Sequence, residues 1–374
     1  MRTSPAPETH RLLTIGTPPR WPPAVGYGSN VSEIDSGAWL LAGPRGRRLC
    51  WALLRERLLA GPAWQAVWMG GAPDSTELVA ELAAALEATA LVQLLGDDPA
   101  RSLFAALAAA TDSARYWQEP DGEDQALALP DVRRSLVPLA REVGAAMPAW
   151  WSGPLDVSGQ GAIAWEDPHI PATSLTGVAD KLVVWRADTA TAERQGGERP
   201  SEVRAPYSGE WWSAPCLAGL PTSATVVPES GPVGLRLVED SMGWRAASCI
   251  PIRPLRAPRV YEIARSQDWV ELVARYPLDV SLSRRHDWWR ATGAEGSWLI
   301  PDYAAISADY DAVHLTARAY LGAAGARLEV GTALTTVAGW NPDQTYWLTD
   351  CLTQSGPPRR WTRDQGTDTW SPST

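Results

Sequence analysis

The chain has 374 residues, 45% of them hydrophobic and 20% charged, a composition that suits a folded globular protein and argues against wholesale disorder. At that length two packed regions with a sizeable core are the first expectation. A formal net charge of −10 leaves no global positive field for a phosphate backbone, so nucleic acid is not an expected partner.

No run of about 18 apolar residues marks a membrane span, and residues 1–16 lack the apolar stretch of a secretory signal. Cys50, Cys216, Cys249 and Cys351 are far apart and form no CxxC pair, so reduced thiols are expected rather than a zinc ribbon or a disulfide scaffold. A soluble, cytoplasmic protein follows as the default. Lys181 is the only lysine and Phe104 the only phenylalanine, a bias that a GC-rich coding sequence explains. The 21 tryptophans are less easily explained that way, because each indole needs an apolar bed and a partner for its N–H.

In chain order, residues 1–37 read as an N-terminal extension and residues 38–148 as a mainly helical region. A short apolar strand is expected at 38–41 and a helix at 45–59, stopped by Gly61 and Pro62. Arg45, Arg47, Arg48, Arg55 and Arg57 on that helix read as a solvated face. Asp74 followed by Glu77 signals the start of a helix whose apolar side carries Leu78, Leu82, Leu86 and Thr89. Asp98 before Pro99 repeats the signal for a helix bearing Leu103, Phe104 and Leu107. A further helix at 131–146 should kink or restart at Pro138.

Residues 149–353 change texture to a mixed α/β pattern, with strands expected at 162–165 and 182–186 and a polar, Gly- and Pro-containing loop at 187–204. Residues 260–263 read as a strand, Ser266 as the cap of a helix ending before Pro277, and Asp302 as the cap of a short helix. The alternation at 312–316 sends Val313 and Leu315 one way and His314 and Thr316 the other. Strands at 335–340 and 345–348 are expected to pair around Asn341, Pro342 and Asp343, and residues 354–374 to form a flexible tail. The fold class is α+β, a mainly helical N-terminal region packed on a mixed C-terminal region. No internal repeat of 20–50 residues points to a solenoid or propeller.

The strongest catalytic and nucleotide signatures, GxxxxGK[ST], HExxH and GxSxG, are absent, no metal-site spacing appears, and the sequence names no cofactor. Gly159, Gly161 and Ala164 spell GxGxxA, but the residues that follow read as a strand, so a turn is expected rather than a phosphate cradle. Of the four histidines, His10 and His169 lie in a terminal and a Pro-rich segment, which leaves two. His286 stands in Arg284-Arg285-His286-Asp287-Trp288-Trp289-Arg290, a mixture suited to stacking and pairing with an anionic aromatic ligand, or to arginines covering tryptophans on a surface turn. His314 follows Asp309 and Asp311 near a helix-to-strand junction, where carboxylates raise an imidazole pKa for acid–base work.

The leading expectation is a small-molecule-modifying enzyme, working by transfer or hydrolysis in an aromatic-walled cleft. His314, Asp311, His286 and Glu262 are its acid–base candidates, and Trp288, Trp289, Arg284, Arg285, Arg290 and Trp340 its substrate-binding candidates. The competing class is a noncatalytic interaction or ligand-binding protein that uses tryptophan and arginine anchors. A small molecule or a protein is therefore the expected partner.

Overall fold

A computed structural model describes residues 37–88, 90–167, 174–228, 231–241, 243–364 and 366–373. His10, His169, Thr89 and residues 1–36 of the expected N-terminal extension lie outside them. The architecture is α+β. Its N-terminal part contains α1 (Ala38–Ala42), α2 (Pro44–Leu58), α3 (Pro62–Trp68), α4 (Ser75–Glu87), α5 (Leu91–Leu95), α6 (Pro99–Asp112), α7 (Gly122–Ala128) and α8 (Pro130–Ala146).

Local capping explains several of these starts. Asp74 accepts a hydrogen bond from the Thr76 N–H and Asp98 from the Arg101 N–H, while Pro44, Pro62, Pro99 and Pro130 sit at first-turn positions that need no N–H donor. The apolar segment expected as a strand at 38–41 is instead the helix α1. Gly37 turns the chain at φ 68°, where a Cβ would strike the Arg141 backbone, and Leu40 and Leu41 then bury beneath α8 and α2. Nor does α8 restart at Pro138. Val132, Leu136, Leu139, Ala140 and Val143 form one buried stripe on both sides of the exposed proline, and that packing keeps a single helix.

The C-terminal part contains β1 (Gln160–Trp165), α9 (Val178–Gly196), β2 (Thr222–Val227), β3 (Gly231–Pro232), β4 (Ala246–Pro254) and β5 (Val260–Ile263). It continues with α10 (Ser266–Arg275), β6 (Pro277–Asp279), α11 (Ser281–Thr292), β7 (Leu299–Pro301), α12 (Tyr303–Ile306), β8 (Ala312–Leu315) and α13 (Ala317–Ala323). Strands β9 (Leu328–Val330), β10 (Ala333–Thr335), β11 (Gln344–Trp347), β12 (Leu352–Gln354), β13 (Arg359–Arg363) and β14 (Trp370–Pro372) complete it. The main sheet runs β14-β13-β4-β1-β2-β11-β8-β5, with β12 beside β4 and β3 beside β2; β5 and β8 are parallel and their neighbours antiparallel.

Four expectations change here. Residues 182–186, expected as a strand, and 187–196, expected as loop, are one helix. Leu182, Trp185, Thr189, Ala192 and Gly196 bury at helical spacing, which the short apolar run at 182–185 hides. Residues 335–340 and 345–348 do not pair with each other, because β10 pairs with β9 while β11 inserts between β2 and β8. The tail is not wholly frayed: β13 pairs with β4 and β14 with β13. Helix α10 is capped one residue earlier than expected, by Arg265 with Asp268, and Ser266 is its first residue.

In the GxGxxA segment, Gly159 lies in the turn that leads into β1. Gly161 and Ala164 lie inside β1, and a Cβ at Gly161 would come within 2.6 Å of Cys249 Sγ, so close packing of β1 on β4 accounts for that glycine. One apolar core joins the helical part to Ala224, Val233, Leu237, Ala317 and Leu321 of the C-terminal part. A second core gathers under β5, β8 and β11 around Trp269, Trp288, Trp298 and Trp340. Among the described residues no helix is long and apolar enough to cross a membrane.

Candidate active site

The candidate residues from the sequence fall into separate places. Residues 284–290 lie on α11 rather than on a surface turn, and most of their polar groups bind the segment 196–212. Arg285 donates to the carbonyls of Gly196, Arg199 and Pro200 at 2.8–3.1 Å. His286 Nε2 meets the Pro200 carbonyl at 3.1 Å, and Asp287 accepts from Ser208 Oγ and the Gly209 N–H at 2.8 and 2.9 Å. Arg284 reaches the Trp212 carbonyl and pairs with Glu210, Trp288 Nε1 donates to the Trp211 carbonyl, and Arg290 pairs with Asp287. Trp289 is half-buried beneath the Arg204 guanidinium. Burial, reinforced by Arg285, lowers the His286 pKa and favours a neutral ring. This motif is a clamp that fixes an extended segment.

His314 occupies the middle of the sheet. Glu262, His314, Thr345 and Ser223 stand opposite one another on β5, β8, β11 and β2, so their side chains form one row on one face. His314 Nδ1 is 2.6 Å from Glu262 Oε2, and its Nε2 is 3.6 Å from Asp343 Oδ1, an ion-pair distance rather than a hydrogen bond. Asp343, at φ 60°, also accepts from the Thr225 N–H, and Glu262 accepts from the Leu155 N–H. Burial pulls the imidazolium pKa down, but Asp343 and Glu262 outweigh it and hold His314 up at about 9. At neutral pH the ring is therefore protonated and has no lone pair with which to act as a base.

Asp311 does not orient His314. Arg256 binds both of its oxygens at 2.7 and 2.8 Å, the Arg259 N–H and Thr349 Oγ1 bind it as well, and these contacts, Arg256 first, hold its carboxylate well below the usual range. Trp340 is buried among Trp269, Tyr303 and Tyr346, with its indole N–H on the Gln344 carbonyl. None of the ten residues singled out from the sequence lines the large cavity described next.

That cavity, about 650 Å³, lies where the helical part meets the C-terminal part. Its wall includes Arg45 of α2, Tyr116, Asp124 of α7, Arg133 of α8, Thr292 at the end of α11, and Gly325. A volume between roughly 300 and 1,000 Å³ suits a metabolite-sized ligand. Arg45 and Arg48, expected on a solvated face, are instead buried: Arg45 meets Asp124 Oδ2 at 2.6 Å and Arg48 Nε meets Oδ1 at 2.8 Å. Arg45 also donates to the Ala110 carbonyl and Ser113 Oγ. Burial opposes each of these charges, but the Arg45 and Arg48 cations outweigh it and keep Asp124 below the usual carboxylate range. By contrast, Arg133 has no polar partner among the described residues, and its Nε is sealed from solvent.

Behind Tyr116 lies Glu239. Asp240 places it there by accepting from Arg115 Nε at 3.0 Å and Trp117 Nε1 at 3.2 Å, which ties the loop at 236–241 to the segment that carries Tyr116. Glu239 Oε2 accepts from the Gly339 N–H at 2.8 Å, and its Oε1 is buried. Burial pushes the Glu239 carboxyl up to about 7, beside the hydroxyls of Tyr320 and Tyr116. Burial likewise drives both phenols well above their ordinary value. A carboxyl that titrates near neutrality next to a cavity is the kind of group acid–base chemistry uses.

Sequence reasoning passed over this site. Arg45 and Arg48 are three apart on one helix face, and Asp121, the N-cap of α7, and Asp124, which pair with them, are likewise three apart; that matched spacing was the available signal. No comparable signal marks Glu239, which meets Tyr116 and Tyr320 only through tertiary folding. Comparison with protein-family models, curated proteins and solved structures finds no match for the chain.

Proposed function

We propose that this chain is a small-molecule-modifying enzyme that binds an anionic metabolite in the cavity between its helical and mixed parts and acts on it by acid–base chemistry. The observation that carries the reading is the cavity itself, with the unpaired guanidinium of Arg133 and Tyr116, backed by Glu239, in its wall. Arg133 supplies the charge that orients an anion. Tyr116 forms part of the cavity wall, and its buried hydroxyl lies beside Glu239, which holds or gives up a proton behind it. Group transfer and hydrolysis both need such a proton movement. Four unpaired cysteines accord with a cytoplasmic setting.

The test is a thermal-shift and calorimetric screen of small carboxylates and phosphates against the full chain and Arg133→Ala. The reading expects at least one anion to bind the parent and to lose about tenfold or more in affinity on Arg133→Ala. If no anion binds, or if binding ignores the substitution, the reading is wrong. One observation favours a noncatalytic interaction protein instead: Trp68 and Met69, 58% and 68% exposed, directly follow the cavity-lining Val67, and such side chains anchor protein partners.

A further inference from the structure

Most charges on the wall of the large cavity already have partners within the protein. Arg45 meets Asp124, Asp121 meets Arg48, and Arg115 meets Asp240. Arg327 meets Glu329, and Arg47 donates to the Leu41 and Ala42 carbonyls at the end of α1. Two wall charges are left without a side-chain hydrogen bond or ion pair among the described residues, the guanidinium of Arg133 and the carboxylate of Glu119. They do not meet each other, so the wall keeps one cation and one anion apart.

The backbone around the cavity also brings both signs. Arg133 belongs to the first turn of α8, whose opening residues Leu129 and Pro130 line the cavity as well, and a helix start carries partial positive charge. Ala291, Thr292 and Gly293 bring the end of α11, with its partial negative charge, to the same cavity. A ligand that is only a carboxylate or a phosphate would satisfy Arg133 but leave Glu119 facing a second negative charge. An ammonium group removes that repulsion and gives Glu119 a partner, and a site partly shielded from bulk water screens the attraction less than an open surface does.

Resting on the cavity reading above, we propose that the ligand carries an ammonium group as well as its anionic group, with the anion on Arg133 and the ammonium on Glu119. Amino acids and amino phosphates are the class of small molecule this selects. The probes are β-alanine against propionate, phenylalanine against phenylpropionate, and phosphoethanolamine against ethyl phosphate, each titrated calorimetrically into the full chain. The members of each pair differ by one ammonium group.

The aminated member of at least one pair is expected to bind about fivefold or more tightly than its partner, the upper range for a partly exposed ion pair. Glu119→Gln should reduce that preference to about twofold or less, and Arg133→Ala should weaken both members of the pair. Glu87→Gln removes the same charge from the end of α4, off the cavity wall, and should leave the preference intact; it controls for a general attraction of cations to a chain of net charge −10. A thermal melt checks that each variant folds. Equal binding within every pair, a preference that survives Glu119→Gln, or one that Glu87→Gln also abolishes overturns the ammonium site. If the deaminated probes bind with sensitivity to Arg133→Ala but no ammonium preference exists, the ammonium site falls and the cavity reading stands. If no probe binds, the ammonium site falls, and the broader anion screen decides the cavity reading separately.

Discussion

His314 and Glu262 face each other across the parallel pair β5 and β8, with Nδ1 2.6 Å from Oε2, and Asp343 stands 3.6 Å beyond the other ring nitrogen. An imidazolium between two carboxylates is a cross-strand clamp, and it makes stability depend on pH. The folded-state pKa of His314 lies at about 9, above the ordinary 6.5, so the clamp's contribution is complete below 6.5 and is lost as pH rises through 9. The loss amounts to about 3 kcal/mol. Urea denaturation of the parent and of His314→Gln from pH 6 to 10 checks this: the parent should lose stability relative to the variant across that window. A constant difference between the two would contradict the clamp.

Glu239 has the same sign in a lower pH window, although here burial rather than a charged partner raises the pKa. Its carboxyl is raised from 4.5 to about 7 by burial, so the folded state holds a proton that the unfolded chain releases, and the cost of ionising it grows as pH rises from 4.5 to 7. Glu239→Gln removes that cost. Between pH 4.5 and pH 8 the variant should gain about 3 kcal/mol relative to the parent, read by denaturation at the two values. A difference that does not move with pH would mean that Glu239 ionises normally.

Local rules made much of the fold readable. Asp74, Asp98 and Asp302 each cap the helix expected of them, and the alternation around His314 gives its strand and its face. Failures came where tertiary packing overrides local pattern: Pro138 stays inside α8, and the apolar run at 182–185 belongs to a helix. At the candidate site the adjacency of Glu262 and His314 could not be read, because 52 residues separate two strands that pair only in the sheet. The concentration of charge and indole at 284–290 was legible as a signal, but its use was not. Most of its hydrogen bonds to the segment 196–212 go to backbone groups, which carry no side-chain signature.

That clamp predicts a pattern of proteolysis. Arg194 lies within α9, and Arg204, at the end of the segment that Arg285 holds, stacks on Trp289 of α11, so trypsin should spare both bonds in the native chain. Arg285→Ala removes donors to three carbonyls of the segment at once. In that variant, cleavage after Arg204 should accelerate about tenfold or more, the response to roughly 1.5 kcal/mol of lost local stability. Mass spectrometry of timed digests locates the cuts. Rapid cleavage at Arg204 in the parent would show that the segment opens on its own.

Two glycines separate backbone strain from close packing. Gly325 and Gly331 both lie in the left-handed region, at φ 70° and 60°, so alanine at either costs about 1 kcal/mol for the backbone. At Gly331 nothing lies within 4 Å of the added Cβ, whereas at Gly325 it would press within 2.5 Å of Tyr116 Cε1 and 3.1 Å of Pro44 Cγ. Gly325→Ala should therefore destabilise by a further 1–3 kcal/mol, roughly the cost of overpacking, and displace the Tyr116 ring. Because Tyr116 is the cavity residue that leads to Glu239, Gly325→Ala should also weaken binding of any anion found in the screen, while Gly331→Ala leaves it unchanged. Denaturation curves and calorimetry on the two variants measure both effects. Equal losses of stability at the two positions would show that the contact with Tyr116 relaxes at no cost, and would remove the reason for a glycine at 325 beyond its backbone angle.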